Sequence, residues 1–231
     1  MALPQLKTPT YELKLKTIQE PIKYRPFLVK EEKILMIASE TGDEKNIINA
    51  IGEIVTACTF GKVKSGSIPI FDLEYLFLNI RGKAIGEKIK VNVKCPDDMK
   101  TMVETEIDIG DIKLNETENH TNVVEITDEI KLVLKYPTMN MVSKLNLNDP
   151  KELFKVIPKM IESVYEGEKI IEDFSEKEAD DFISSLNSQQ FLEVQKFFET
   201  MPKLKHEITI KNPKTKKESK VTLTGLNDFF G

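Results

Sequence analysis

The chain has 231 residues, 40% of them hydrophobic and 31% charged, with a formal net charge of −5. That length suffices for one large domain or two small ones, and the mildly acidic balance argues against a nucleic-acid face or a patch for anionic membranes. No tryptophan, two histidines and two cysteines leave little to catalyse with and no disulfide framework.

No apolar run approaches the ~20 residues that span a bilayer. The start, Met-Ala-Leu-Pro-Gln-Leu-Lys, lacks an apolar signal core, so the expectation is a cytosolic protein. Residues 1–22, rich in Pro and Lys without periodicity, are expected to form an extended arm. Val29 to Ala38 turns helical, and Thr41-Gly42-Asp43 should end that helix and cap the next. Over 43–60, Ile47, Ile51, Ile54, Val55 and Cys58 make one apolar stripe, with Gly61 placed to stop it. Phe71 to Ile80 is apolar on nearly every side, which predicts a buried third helix ended by Gly82.

The period then changes to two. Ile89, Val91 and Val93 alternate with polar residues, Cys95-Pro96-Asp97-Asp98 turns, and Val103, Thr105 and Ile107 return, a β-hairpin. After a polar loop from Asn115 to Asn122, Val123–Ile126 and Ile130–Lys135 read as a second hairpin. Asp149-Pro150-Lys151-Glu152 opens a helix whose apolar face is read through Leu153, Ile157, Met160, Ile161 and Val164, with Pro158 kinking or splitting it. Ser175-Glu176-Lys177-Glu178 is a capping box. Ser188 is read as the cap of a helix carrying Phe191, Val194 and Phe198, closed by Pro202. Ile208 and Ile210, then Val221 and Leu223, flank the Lys-rich segment 211–220, and Phe229-Phe230-Gly231 finishes the chain.

The fold class is therefore α+β, with two helical groups each followed by an antiparallel β-hairpin. The expected division is an arm over 1–22, helices with hairpins over 23–136, and helices with a hairpin and Phe-Phe tail over 137–231, the halves joining near Tyr136. Lys94-Cys95-Pro96 and Lys211-Asn212-Pro213 echo each other at equivalent strand ends, the pattern of an internal pseudo-repeat.

Hairpin turns carrying Cys-Pro suggest a zinc knuckle, but a structural zinc needs four Cys or His ligands. Asp98 stands where a second cysteine would fall, and Asn212 and Thr215 occupy the matching places, so no metal and no cofactor are expected. Asp72 with Glu74, or Asp97 with Asp98, could be read as acid and base, yet neither pair sits in a catalytic frame and no phosphate loop is present. The Lys-rich turn lacks arginine and interleaved aromatics, so a solvated hairpin tip outweighs a small nucleic-acid-binding adaptor.

Only two arginines stand among the 33 basic residues, Arg25 and Arg81. Arginine is a planar fork that grips a carboxylate in two places. Arg25 sits in Tyr24-Arg25-Pro26-Phe27-Leu28. There it could pair a helix carboxylate such as Glu31, or anchor another subunit.

Three runs carry a resemblance: Lys23-Tyr24-Arg25-Pro26-Phe27-Leu28-Val29-Lys30-Glu31-Glu32-Lys33; Phe71-Asp72-Leu73-Glu74-Tyr75-Leu76-Phe77-Leu78 with Arg81; and Phe197-Phe198-Glu199-Thr200-Met201-Pro202 with Phe229-Phe230. They resemble the baseplate hub proteins of T-even-like contractile-tailed bacteriophages, described both as hub subunits and as hub assembly factors. Some relatives carry Cys-x-x-Cys in the hairpin turns, whereas this chain keeps only Cys95. The resemblance implies a non-enzymatic structural or chaperone-like protein in the host cytoplasm during assembly or in the virion baseplate. It would bind other hub or tail proteins or itself, and no nucleic acid, membrane or small-molecule substrate. The docking residues put forward are Tyr24, Arg25, Phe27, Leu28, Phe71, Asp72, Tyr75, Arg81, Phe197, Phe198, Met201, Pro202, Phe229 and Phe230.

Overall fold

The computed structural model describes residues 6–42, 44–115, 117–142 and 150–230. The chain divides into two compact units, one made of residues 1–115 and 203–231, the other of 116–202. The fold is mixed α+β with antiparallel hairpins following helical groups.

In the first unit, β1 (Tyr11–Leu13) pairs antiparallel with β2 (Ile22–Tyr24), so part of the expected arm is built into a sheet. Three helices follow: α1 (Val29–Glu40), α2 (Glu44–Cys58) and α3 (Ile70–Ile85). Then come β3 (Lys88–Lys94), β4 (Met102–Asp108) and β5 (Lys113–Asn115). The chain re-enters this unit with β10 (Lys203–Lys211), β11 (Glu218–Thr224) and α8 (Gly225–Phe230). Helix α3 lies against α2, β5, β10 and α8. Its Leu76, Phe77, Leu78 and Ile80 are buried, together with Ile54 and Val55 of α2, because apolar side chains cover most of the circumference of α3.

The second unit holds β6 (Val123–Glu125), β7 (Ile130–Leu134), α4 (Met139–Val142), α5 (Pro150–Met160), β8 (Ile161–Glu166), β9 (Lys169–Ile171), α6 (Glu176–Ser185) and α7 (Ser188–Thr200). Strands β6, β7, β8 and β9 form one antiparallel sheet in that order. Leu132, Leu134, Val156, Met160, Val194 and Phe197 fill its core.

Several local expectations change. Gly82 lies inside α3, which runs on to a cap at Gly86. A Cβ on Gly82 would meet Ile109 at 3.4 Å, an ordinary contact distance, and the glycine sits within the helix without stopping it. Ile161 and Val164 belong to a strand: Pro158 removes a helical hydrogen bond, α5 ends two residues later, and Gly167 (φ 60°) turns β8 into β9. Asn187, not Ser188, caps α7, its side chain accepting from the Gln190 amide at 3.0 Å. The expected caps at Asp43 and Asp149 lie outside the described residues. The units part at 115/116 and 202/203, so Tyr136 lies within the second unit and the last hairpin packs with the first.

Cross-strand pairs line the exposed hairpin faces: Lys88–Glu106 and Lys90–Glu104, both at 2.9 Å, and Lys220–Glu207 at 2.7 Å. They account for part of the high charge content and contribute little stability singly.

Candidate functional site

The Arg25 segment is a clamp inside the first unit. Pro26 sends the chain from β2 into α1, and the Arg25 amide donates to the Cys58 carbonyl at 2.9 Å at the end of α2. The guanidinium donates through Nη2 to Glu31 Oε1 at 2.9 Å. Its Nη1 donates to Glu31 Oε2 at 3.4 Å and to the Pro26 carbonyl at 2.9 Å. Glu31, 2% exposed, also accepts the Leu28 amide at 2.8 Å and pairs with Lys30 at 3.4 Å. Burial pushes the Glu31 carboxyl up, but the Arg25 hydrogen bond, the Leu28 amide and the nearby cations outweigh it and hold it below the ordinary carboxylate value. Arg25 is raised mainly by its hydrogen bond to Glu31. Burial lifts the neighbouring Cys58 thiol to about 11, so this cysteine is an inert core side chain.

Asp72, fully buried in the first turn of α3, accepts the Lys16 and Thr17 amides, each at 3.0 Å, and the Thr17 hydroxyl. The carboxylate tethers the N-terminal segment, and Leu15 beside it is 1% exposed. Glu74, two residues further along α3, accepts the Leu226 amide at 3.4 Å where α8 begins. Burial lifts its carboxyl to about 7, against the lowering effect of that amide.

The two echoing turns meet. Asn212 donates to Asp97 Oδ1 at 2.9 Å, and the Thr215 hydroxyl donates to Asp97 Oδ2. Each turn is built alike. The Met99 amide donates to the Cys95 carbonyl and the Lys216 amide to the Asn212 carbonyl, both at 2.9 Å, with Met99 and Lys216 both at positive φ. Asp98 closes its own turn by accepting the Lys100 and Thr101 amides, and those bonds with the Thr101 hydroxyl hold its carboxyl far below the usual range. Burial, then Asp97 and Asp98, push the Cys95 thiol up, which disfavours a thiolate ligand. Among the described residues no three His, Cys, Asp or Glu side chains gather around a common metal position. In the Lys-rich turn, Lys211 pairs with Glu218 at 3.7 Å.

The aromatic residues put forward as anchors are mostly core. Tyr24, Phe27, Phe71, Phe197 and Phe229 are each at most 6% exposed, and Pro202 is buried. Phe71 is buried as the reading of a buried third helix expected, and Tyr24, Phe27 and Phe229, put forward as docking anchors, complete the core of their own unit, Tyr24 packing on Tyr11 across β1–β2 with ring centroids 5.7 Å apart. Tyr75, Arg81, Phe198 and Met201 are half-buried, and Leu28 is 41% exposed. The side chain of Phe230 lies outside the described residues.

Surface features that sequence reasoning missed stand elsewhere. Phe154 of α5, half exposed, stacks on Phe191 of α7 with centroids 4.9 Å apart, near the exposed Leu192. A groove of about 320 Å³ in the second unit is lined by Ile171, Phe174 and Phe182 together with Glu166, Asp173 and Glu178. In the first unit Val29, Met36 and Ile37 of α1 are exposed. The sequence carried no signal for these last three, since Val29, Ile34, Leu35, Met36, Ile37 and Ala38 fall all round α1 and only packing selects the buried side.

One family model, described as T4 bacteriophage base plate protein, matches residues 8–231. No curated protein and no solved structure matches the chain.

Proposed function

We propose a non-enzymatic role in building the baseplate hub for this chain, which belongs to the T4 bacteriophage base plate protein family. The match over residues 8–231, spanning both units, is the observation that carries this reading. The protein acts by protein–protein contact, joining or escorting other hub subunits, and its place is the phage tail baseplate.

The side-chain geometry supports the reading. Three of the four carboxylates that could have been read as catalytic are occupied with holding the fold: Asp72 on the N-terminal segment, Asp97 on the facing turn, Asp98 on its own turn. Phe154, Leu192 and the half-buried Phe198 offer apolar contact, and the groove of Phe174 and Phe182 with its three carboxylates suits an apolar side chain flanked by basic ones.

Mass spectrometry of purified virions, together with a conditional knockout, tests this. Loss of the protein should give tails without baseplates. Its presence at fixed stoichiometry in virions makes it a subunit, and its absence there makes it an assembly factor. Normal baseplates in the knockout would overturn the proposal.

A further inference from the structure

Helix α1 turns one face to its own unit and a different apolar face to solvent. Glu31 and Ala38 are buried, with Leu35 half-buried between them, and α1 packs on α2. At 3.6 residues per turn, Val29, Lys33, Met36, Ile37 and Glu40 fall within an arc of about 100° on the opposite side. All five are exposed: Val29 is 68%, Met36 58% and Ile37 65%. Scattered exposed apolar residues need no explanation, but a contiguous set on one helix face marks a contact surface.

The charges on that face say what fits it. Lys33 lies one turn before Met36-Ile37 and Glu40 one turn after, and neither is spent on an ion pair among the described residues. Place a second α1 against the first, antiparallel, with a two-fold axis between Met36 and Ile37. Met36 then meets Ile37 of the other copy, Lys33 meets its Glu40, and Glu40 meets its Lys33. A parallel arrangement would set Lys33 on Lys33 and Glu40 on Glu40. The face is thus self-complementary in the sense that a two-fold interface requires.

We propose that the chain self-associates through antiparallel pairing of α1 with α1 of a second copy, with Met36 and Ile37 at the centre and Lys33–Glu40 pairs on both sides. One helix face is smaller than the roughly 800 Å² per partner of a stable interface, so the dimer is weak in isolation and would be reinforced by neighbours in an assembly. The inference rests on α1 alone and does not depend on the hub reading.

Sedimentation equilibrium of the full-length protein at rising concentration tests it. Wild type should show a reversible monomer–dimer equilibrium. Lys33→Glu and Glu40→Lys each create two like-charge contacts in the pair and should each weaken the dimer about tenfold. The double variant Lys33→Glu/Glu40→Lys should return to wild-type association. Met36→Asp should abolish the dimer with an unchanged circular dichroism spectrum, since the residue is exposed. A chain that stays monomeric at all concentrations, leaving the face to a different protein, overturns the proposal. So does a dimer indifferent to the single reversals, or a double variant that associates no better than the singles.

Discussion

Replacing Arg25 separates charge from geometry. The guanidinium makes two contacts to Glu31, at 2.9 and 3.4 Å, and one to the Pro26 carbonyl at 2.9 Å, with the Arg25 and Glu31 side chains 12% and 3% exposed. Removing one member of a buried pair typically costs about 3–5 kcal/mol, because the other charge is stranded. Lys30 and the Leu28 amide still face Glu31, so Arg25→Ala should sit at the lower end, about 3 kcal/mol. Arg25→Lys retains the charge, but one ammonium cannot serve both Glu31 oxygens and the Pro26 carbonyl, and should cost about 2 kcal/mol.

These losses correspond to about 6–12 °C and about 4–8 °C in the thermal midpoint for a chain of this size. Urea unfolding followed by circular dichroism suits a chain without tryptophan. Glu31 is held below its ordinary value in the folded state. Its contribution is therefore complete above the unfolded carboxylate pKa of about 4.3 and is lost as pH falls through the depressed folded value. The gap between wild type and Arg25→Ala should be widest at neutral pH and narrow in acid. An Arg25→Lys protein within about 0.5 kcal/mol of wild type, or a gap that ignores pH, would refute the argument.

Three further outcomes follow from the buried contacts. Asp72→Asn turns one acceptor oxygen into a donor facing the donors at Lys16 and Thr17, so it should cost about 2 kcal/mol and speed hydrogen exchange at those two amides; unchanged protection there would show that the tether is elsewhere. Phe229→Ala should cost about 3 kcal/mol, since the ring is 2% exposed, and deleting residues 225–231 should lower the midpoint accordingly; an unmoved midpoint would return the tail to the role of a free anchor. Glu74 carries a folded pKa of about 7, above its unfolded value, so its protonated form is the one the fold favours. Stability should fall as pH rises from about 4.5 through 7, and Glu74→Gln should remove that slope and stabilise the protein at pH 8 by on the order of 2 kcal/mol; an unchanged pH profile would show that the carboxyl is solvated.

Local elements were legible where one residue pattern admits one solution. The stripe of Ile47, Ile51, Ile54, Val55 and Cys58 became α2, and the alternation of Ile89, Val91 and Val93 became β3 with its inward side chains buried. The capping box at Ser175 formed as expected, its hydroxyl accepting the Glu178 amide at 3.2 Å. Ile161 and Val164 were ambiguous, because a short apolar segment after a helix fits a further helical turn or a strand, and only pairing with β7 decides. The same holds for the aromatics. A tyrosine or phenylalanine beside an arginine suits an interface or a core equally well, and burial is a property of what packs around it.

By itself, then, the sequence determined the α+β class, the helix and strand periods, and the turn pair Cys95-Pro96 and Asn212-Pro213, and it offered Glu31 as one of two partners for Arg25. These are short-range matters, settled within a few residues by hydrogen bonding and side-chain spacing. The tertiary structure alone decided that Asp97 reaches across to Asn212 and Thr215, and that the last hairpin joins the first unit. It also decided that Phe229 lies inside and that Met36 and Ile37 lie outside. Each of these depends on contacts between segments far apart in the chain, as Asp97 is from Asn212, and no local pattern encodes which distant surface will arrive.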